Sequence, residues 1–97
     1  MSKYCYVYVL GSALDHRFYV GLTRNLPKRL QARNQGLVNS TKTRPPFQLV
    51  YWEGSLNEAD AAKREKYLKT AWGKRYLKAR LRKYLTGSPR EIDKKTS

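Results

Sequence analysis

The chain is poor in cysteine, histidine and acid. Of its 97 residues one is cysteine and one is histidine, and only seven Asp and Glu face 21 Lys and Arg. A lone thiol, Cys5, excludes a disulfide framework and a cysteine-based zinc site; set among alternating tyrosines and valines, it reads as a packing residue. Long apolar runs are missing too. The longest, Tyr4 to Leu10, is too short for a transmembrane helix and carries no signal-peptide cleavage pattern. The expected location is therefore cytoplasmic, with no membrane partner.

The shortage of acid leaves a formal charge of +14. Such a field suits a polyanion, most simply nucleic acid. A generic basic surface and affinity for an anionic membrane are the alternatives. Eight Tyr and two Trp interleaved with the basic residues favour nucleic acid. The length suits one domain, expected over residues 1–88, followed by a charged, disordered tail over 89–97.

The chain begins with period-two patterning. Tyr4, Tyr6 and Tyr8 alternate with Cys5, Val7 and Val9, which predicts a strand with Tyr6 and Tyr8 on one face. Arg17 to Gly21 reads as its hairpin partner, with Tyr19 and Gly21 sharing a face, and the glycine allows a ligand or backbone to approach closely. Asn25 is a good N-cap, Pro27 is tolerated in the first turn, and Gly36 is the expected stop. On that helix Arg29 and Arg33 are four apart and project together. A polar, basic loop over 37–46 precedes a third strand, Phe47 to Glu53. Asn57 with Asp60, or Ser55 with Glu58, opens a helix expected to reach Trp72 and to break at Gly73. Its stripe includes Ala61, Glu65, Leu68 and Trp72. A further helix carries Tyr76, Leu77, Leu81, Tyr84 and Leu85.

With so few carboxylates, Glu65 on an apolar helix face needs a reason. Burying it unpaired costs several kcal/mol, at the order of magnitude of such penalties. An ion pair to Arg29 or another base would relieve that cost. So would Mg²⁺, which keeps most of its waters and needs one or two carboxylates plus phosphate oxygens. Arg29 offers a planar, permanently charged fork suited to a phosphodiester. Strand tyrosines usually pack, but cations nearby favour a phenolate, which takes a proton from water. Base, cation and metal ligand make a minimal phosphodiesterase.

These residues, in this order, resemble the GIY-YIG nucleases. Tyr6-Val7-Tyr8 is similar to the first triplet, with Tyr8 as its tyrosine, and Tyr19-Val20-Gly21 is similar to the second. Arg29 lies ten residues beyond Tyr19, where the family has an arginine. The segment from Lys63 to Lys69 resembles the one that carries the family's glutamate. The Ser40-Thr41-Lys42 loop and the Leu49 to Glu53 strand resemble the small, single-domain bacterial branch. The resemblance spans about residues 4–86. It implies an α+β fold, a three-stranded antiparallel sheet flanked by helices in the order β-β-α-β-α-α.

It also implies Mg²⁺- or Mn²⁺-dependent endonuclease activity with a single metal held by Glu65 and no small-molecule cofactor. Arg29 would bind the scissile phosphate, and Tyr19 or Tyr8 would act as or orient the general base. The expected products carry 5′-phosphate and 3′-hydroxyl ends. One position departs. Four residues after its arginine the family usually has His or Tyr, and here stands Arg33, which stays protonated and cannot accept a proton. It could bind phosphate. It equally suits a catalytically weak or inactive binding module, the alternative function. A third reading has the aromatic-rich C-terminal helices dock another protein.

Larger members carry separate recognition domains. Without a zinc-ligand cluster or a helix-turn-helix appendage, backbone contacts are expected to dominate and sequence specificity to be low. Arg24 and Lys28 near the helix start, and Lys42 and Arg44 in the loop, join Gly21 and Arg33 as candidate DNA contacts. Single-stranded and branched DNA both suit such a site. DNA repair, mobile-element defence and DNA uptake are all compatible roles.

Overall fold

A computed structural model describes residues 3–12, 17–35 and 46–86. Three strands, β1 (Cys5–Ser12), β2 (Phe18–Thr23) and β3 (Phe47–Ser55), form one antiparallel sheet in the order β2-β1-β3. Four helices accompany them: α1 (Leu26–Asn34), α2 (Glu58–Leu68), α3 (Ala71–Arg80) and α4 (Arg82–Thr86). This is the expected α+β arrangement. The chain divides into two compact units, Met1–Lys66 and Tyr67–Ser97. The tail expected over 89–97 lies outside the described residues.

The first strand is central, and its composition follows from that place. Every residue of it but Tyr6 is buried. Both faces are covered, so aromatic and aliphatic side chains alternate where an edge strand would alternate apolar with polar. Register sets the faces. Tyr8 stands opposite Gly21 and Trp52, and Leu10 opposite Tyr19 and Leu49, while Val7 faces Leu22 and Glu53. Between Val9 and Leu10 the pairing with β3 slips from Tyr51 to Leu49, a bulge that leaves Val50 without an opposite residue. Tyr8, Leu10 and Phe47 form a buried cluster on one face, completed by Tyr19, Leu49 and the α1 residues Leu26 and Leu30.

Local signals explain where α1 begins. Asn25 is extended and its side chain accepts from the Lys28 amide at 3.1 Å, with Pro27 in the first turn. Asn57 caps α2, accepting from the amides of Ala59 and Asp60 at 2.8 and 3.2 Å. Ser55, the other candidate start, is the last residue of β3. The expected stop at Gly36 lies outside the described residues.

The second unit differs from expectation in its breaks. The helix expected to reach Trp72 ends at Leu68, and Gly73 lies inside the next one. Thr70 is the cause. Its hydroxyl donates to the Tyr67 carbonyl at 2.6 Å and accepts from the Gly73 amide at 3.2 Å, so one residue closes α2 and caps α3. Gly73 serves close packing instead of breaking the helix: a Cβ there would meet the Tyr67 carbonyl oxygen and the backbone of Leu68. The expected single last helix is interrupted at Leu81, which separates α3 from α4. Among the described residues no helix is long and apolar enough to cross a membrane.

Candidate active site

The site is built on the sheet face that α1 covers. Tyr8 is 1% exposed. Its phenol lies against Gly21 on the neighbouring strand, and a Cβ at Gly21 would overlap the phenol oxygen and Cζ, with Cε2 at 2.9 Å. The close approach expected at Gly21 is therefore made by the protein's own tyrosine, not by a ligand. Gly21 is itself buried, and the space its missing side chain leaves is filled by the phenol.

The Tyr8 hydroxyl accepts from Arg33 Nε at 2.9 Å, and the guanidinium carbon lies 5.5 Å from the Tyr8 ring centre. A guanidinium has no acceptor, so it donates here. Arg33 is half-buried, and among the described residues neither of its terminal nitrogens has a hydrogen-bond partner. The departure at position 33 is thus a built contact between α1 and β1. Arg29, one turn earlier, is half-buried, and no described residue forms an ion pair with it. The ion pair of Arg29 with Glu65 that the sequence left open is not formed.

Tyr19 is only partly buried and packs edge-to-face on Phe47, with ring centres 5.3 Å apart. Phe47 is held in turn by Asn34, whose side-chain amide donates to the Phe47 carbonyl at 3.1 Å and whose oxygen accepts from the Phe47 amide at 2.6 Å. Asn34 belongs to the string Arg33-Asn34-Gln35-Gly36, which stands where the family often has HNxG. Its role depends on a contact with β3 thirteen residues away. Tyr8, Tyr19 and Arg33 thus meet around one cluster of packed side chains, and α1 brings Arg29 along.

The remaining candidates are less concentrated. Glu65 is half-buried on α2. Arg24 bonds Glu58 at 2.8 Å in an exposed ion pair, so its charge is shared with a carboxylate. Lys28 is exposed in the first turn of α1. Lys42 and Arg44 lie outside the described residues.

Among the described residues no three His, Cys, Asp or Glu gather to hold a metal. A cage of protein ligands is therefore not the kind of metal site these residues would make. A single half-buried carboxylate such as Glu65 does fit a hard cation that keeps its waters and takes phosphate oxygens.

On the opposite sheet face another carboxylate is fully provided for. Arg64 clasps Glu53 with Nε at 2.9 Å and a terminal nitrogen at 2.9 Å, and the Tyr51 hydroxyl donates to it at 2.8 Å. Burial pushes the Glu53 carboxyl up, but the bonds from Arg64 and Tyr51 outweigh it and hold the group below the usual glutamate range. This three-residue contact joins β3 to α2 and was not foreseen. Only the register that puts Glu53 beside α2 reveals it.

Comparison with known proteins bears on the family and the fold. A family model described as the GIY-YIG catalytic domain matches residues 4–77. A UPF0213 protein of Clostridium perfringens is 43% identical over 65 residues, covering 66% of this chain and 69% of that protein. A UPF0213 protein of Staphylococcus haemolyticus is 38% identical over 71 residues, or 72% of this chain and 84% of its own. The solution NMR structure of a UPF0213 protein from Bacillus halodurans superposes with a TM-score of 0.51 at 28% identity, covering 97% of each chain. The chain belongs to the GIY-YIG family of nuclease domains, together with these small bacterial UPF0213 proteins.

Proposed function

We propose that the protein is a divalent-metal-dependent endonuclease that hydrolyses DNA phosphodiester bonds with little sequence specificity. The observation that carries this is the state of Arg29. It is a permanent cation left without a carboxylate partner among the described residues, on the helix that covers the Tyr8–Tyr19 face of a GIY-YIG domain. An unneutralised guanidinium at such a place suits the charge of a phosphodiester in its transition state.

Roles divide by accessibility. Tyr8 is buried and its oxygen already accepts from Arg33, so it positions. Tyr19 is the more accessible phenol and is our choice to take the proton from the attacking water. Arg29 binds the non-bridging phosphate oxygens. Glu65 would hold Mg²⁺ or Mn²⁺, which when bound polarises the phosphate. The bond from the water oxygen to phosphorus forms as the bond from phosphorus to the 3′ oxygen breaks. Tyr19, acting as its phenolate, would take the water's proton, and the departing 3′ oxygen takes a proton from solvent to become the 3′-hydroxyl. Lys28 and the loop residues Lys42 and Arg44 add phosphate contacts, with Arg24 a weaker one because Glu58 shares its charge.

The test is cleavage of labelled single-stranded, duplex and branched DNA, and RNA, in Mg²⁺ or Mn²⁺ against EDTA. Glu65→Ala and Arg29→Ala should each lower the rate by about a hundredfold or more while keeping the fold. Undiminished cleavage in both variants would remove these roles. A second reading has its own observation: Arg33 occupies the Tyr8 hydroxyl where the family usually has His or Tyr. On that reading the domain grips nucleic acid without cutting it, and binding would be salt-sensitive with no product in either metal.

A further inference from the structure

We infer that the outer face of α3 is a stacking surface for the unpaired bases of a nucleic-acid strand. The helix has two unlike sides. Gly73 and Leu77, four residues apart, are its buried residues. Trp72, Arg75 and Tyr76, at spacings of three and one, project together from the other side. Trp72 is 65% exposed and Tyr76 36%. A tryptophan of that exposure has a large apolar area in water, which a domain of this size has reason to cover.

The surroundings say what covers it. The Arg75 guanidinium lies over the Trp72 ring, 4.4 Å from its centre. A cation on one face of an indole leaves the other free for a flat, electron-rich partner, and it draws a phosphate to the same spot. Residues 67–86 carry seven Lys and Arg and no Asp or Glu. An apolar patch set in that field repels basic partners and attracts polyanions. A nucleic acid with accessible bases offers both a negative backbone and aromatic planes to stack, whereas a paired duplex hides those planes.

The inference rests on the nucleic-acid part of the proposed function and not on cleavage. None of Glu65, Arg29 or the two site tyrosines takes part, so binding here needs no metal. Base contact on α3 and phosphate contact on α1 differ in chemistry, and each can be tested by itself.

The deciding experiment is a titration of the full chain in EDTA, in a Trp52→Phe background that leaves Trp72 as the sole indole. The probes are an oligothymidylate and an abasic strand of equal length and charge. Oligothymidylate should quench Trp72 emission strongly and the abasic strand weakly. With binding by the variants read from a fluorescent label on each strand, Trp72→Ala should weaken oligothymidylate binding roughly tenfold, as loss of one stacked base does, and leave abasic binding unchanged, with Trp72→Phe close to wild type. Equal losses on both strands, no loss on either, or quenching by anionic lipid vesicles but not by oligothymidylate would each overturn the inference. Because no turnover is read, failure here leaves the nuclease reading standing, and a chain that cuts nothing can still pass.

Discussion

The two faces of the sheet carry the same pair of residue types and treat them in opposite ways. On one, Arg64 and Tyr51 both donate to the Glu53 carboxylate, and the two charges, Arg64 and Glu53, pair with each other. On the other, Arg33 donates to the Tyr8 hydroxyl, and no described carboxylate joins them. The first arrangement is closed: the attraction is spent within the fold and contributes to holding β3 and α2 together. The second is open. It orients a cation by a neutral acceptor and leaves its charge available. A compensated arginine stabilises, and an uncompensated one placed beside another, Arg29, is a place for an anion.

The comparison is broken most severely at Gly21. Gly21→Ala would drive a methyl group into the buried Tyr8 phenol, which has backbone on one side and packed side chains on the other. The expected loss is about 1–3 kcal/mol, read as a lower denaturation midpoint. Cleavage should fall as the Arg33 contact is displaced. Wild-type stability in that variant would mean the phenol is not held where it is described.

Tyr8→Phe sharpens the comparison because it keeps the ring and removes the acceptor. The Arg33 side chain then loses its only described hydrogen bond, at a cost of about 1 kcal/mol. Nucleic-acid affinity should drop, and adding Arg33→Gln should drop it little further, since the two act as a unit. Full additivity in that double-mutant cycle would separate the two residues.

The closed face responds to acid, and more gently. The Glu53 carboxyl titrates lower in the folded chain than in the unfolded one. Its contribution is therefore complete above the ordinary glutamate range and is lost as pH falls through the folded value. Unfolding midpoints measured from neutral pH downward should decline there, and Glu53→Gln should flatten that part of the decline. Cleavage at neutral pH should change far less than in Arg29→Ala, because Glu53 bonds only Arg64 and Tyr51 among the described residues and neither is proposed to act on the phosphate.

Much of this architecture could be read before any coordinates. Alternation from Tyr4 to Val9 identified the central strand, and Asn25 and Asn57 marked helix starts, because these signals are local. The ends of the helices were less legible. Gly73 looked like a breaker, but Thr70 three residues earlier satisfied the backbone first and made the glycine a contact point. Tyr8, Tyr19 and Arg29 were singled out by their resemblance to the family's ordered motifs. The bond between Arg33 and Tyr8 was not, since it joins residues 25 apart in sequence and depends on how α1 lies on the sheet. The clasp of Arg64 on Glu53 was hidden for the same reason.

Asn34 has a consequence of another kind. Its paired bonds to Phe47 fasten the end of α1 to the start of β3. Positions 34 and 47 are thereby held together whatever the length of chain between them. Closing a longer loop across a fixed gap costs only about 0.6 kcal/mol for each doubling of its length. The domain can therefore vary this stretch in size and composition while Phe47 keeps its ring against Tyr19. A fold knotted in this way separates the part that can diversify from the part that must stay still.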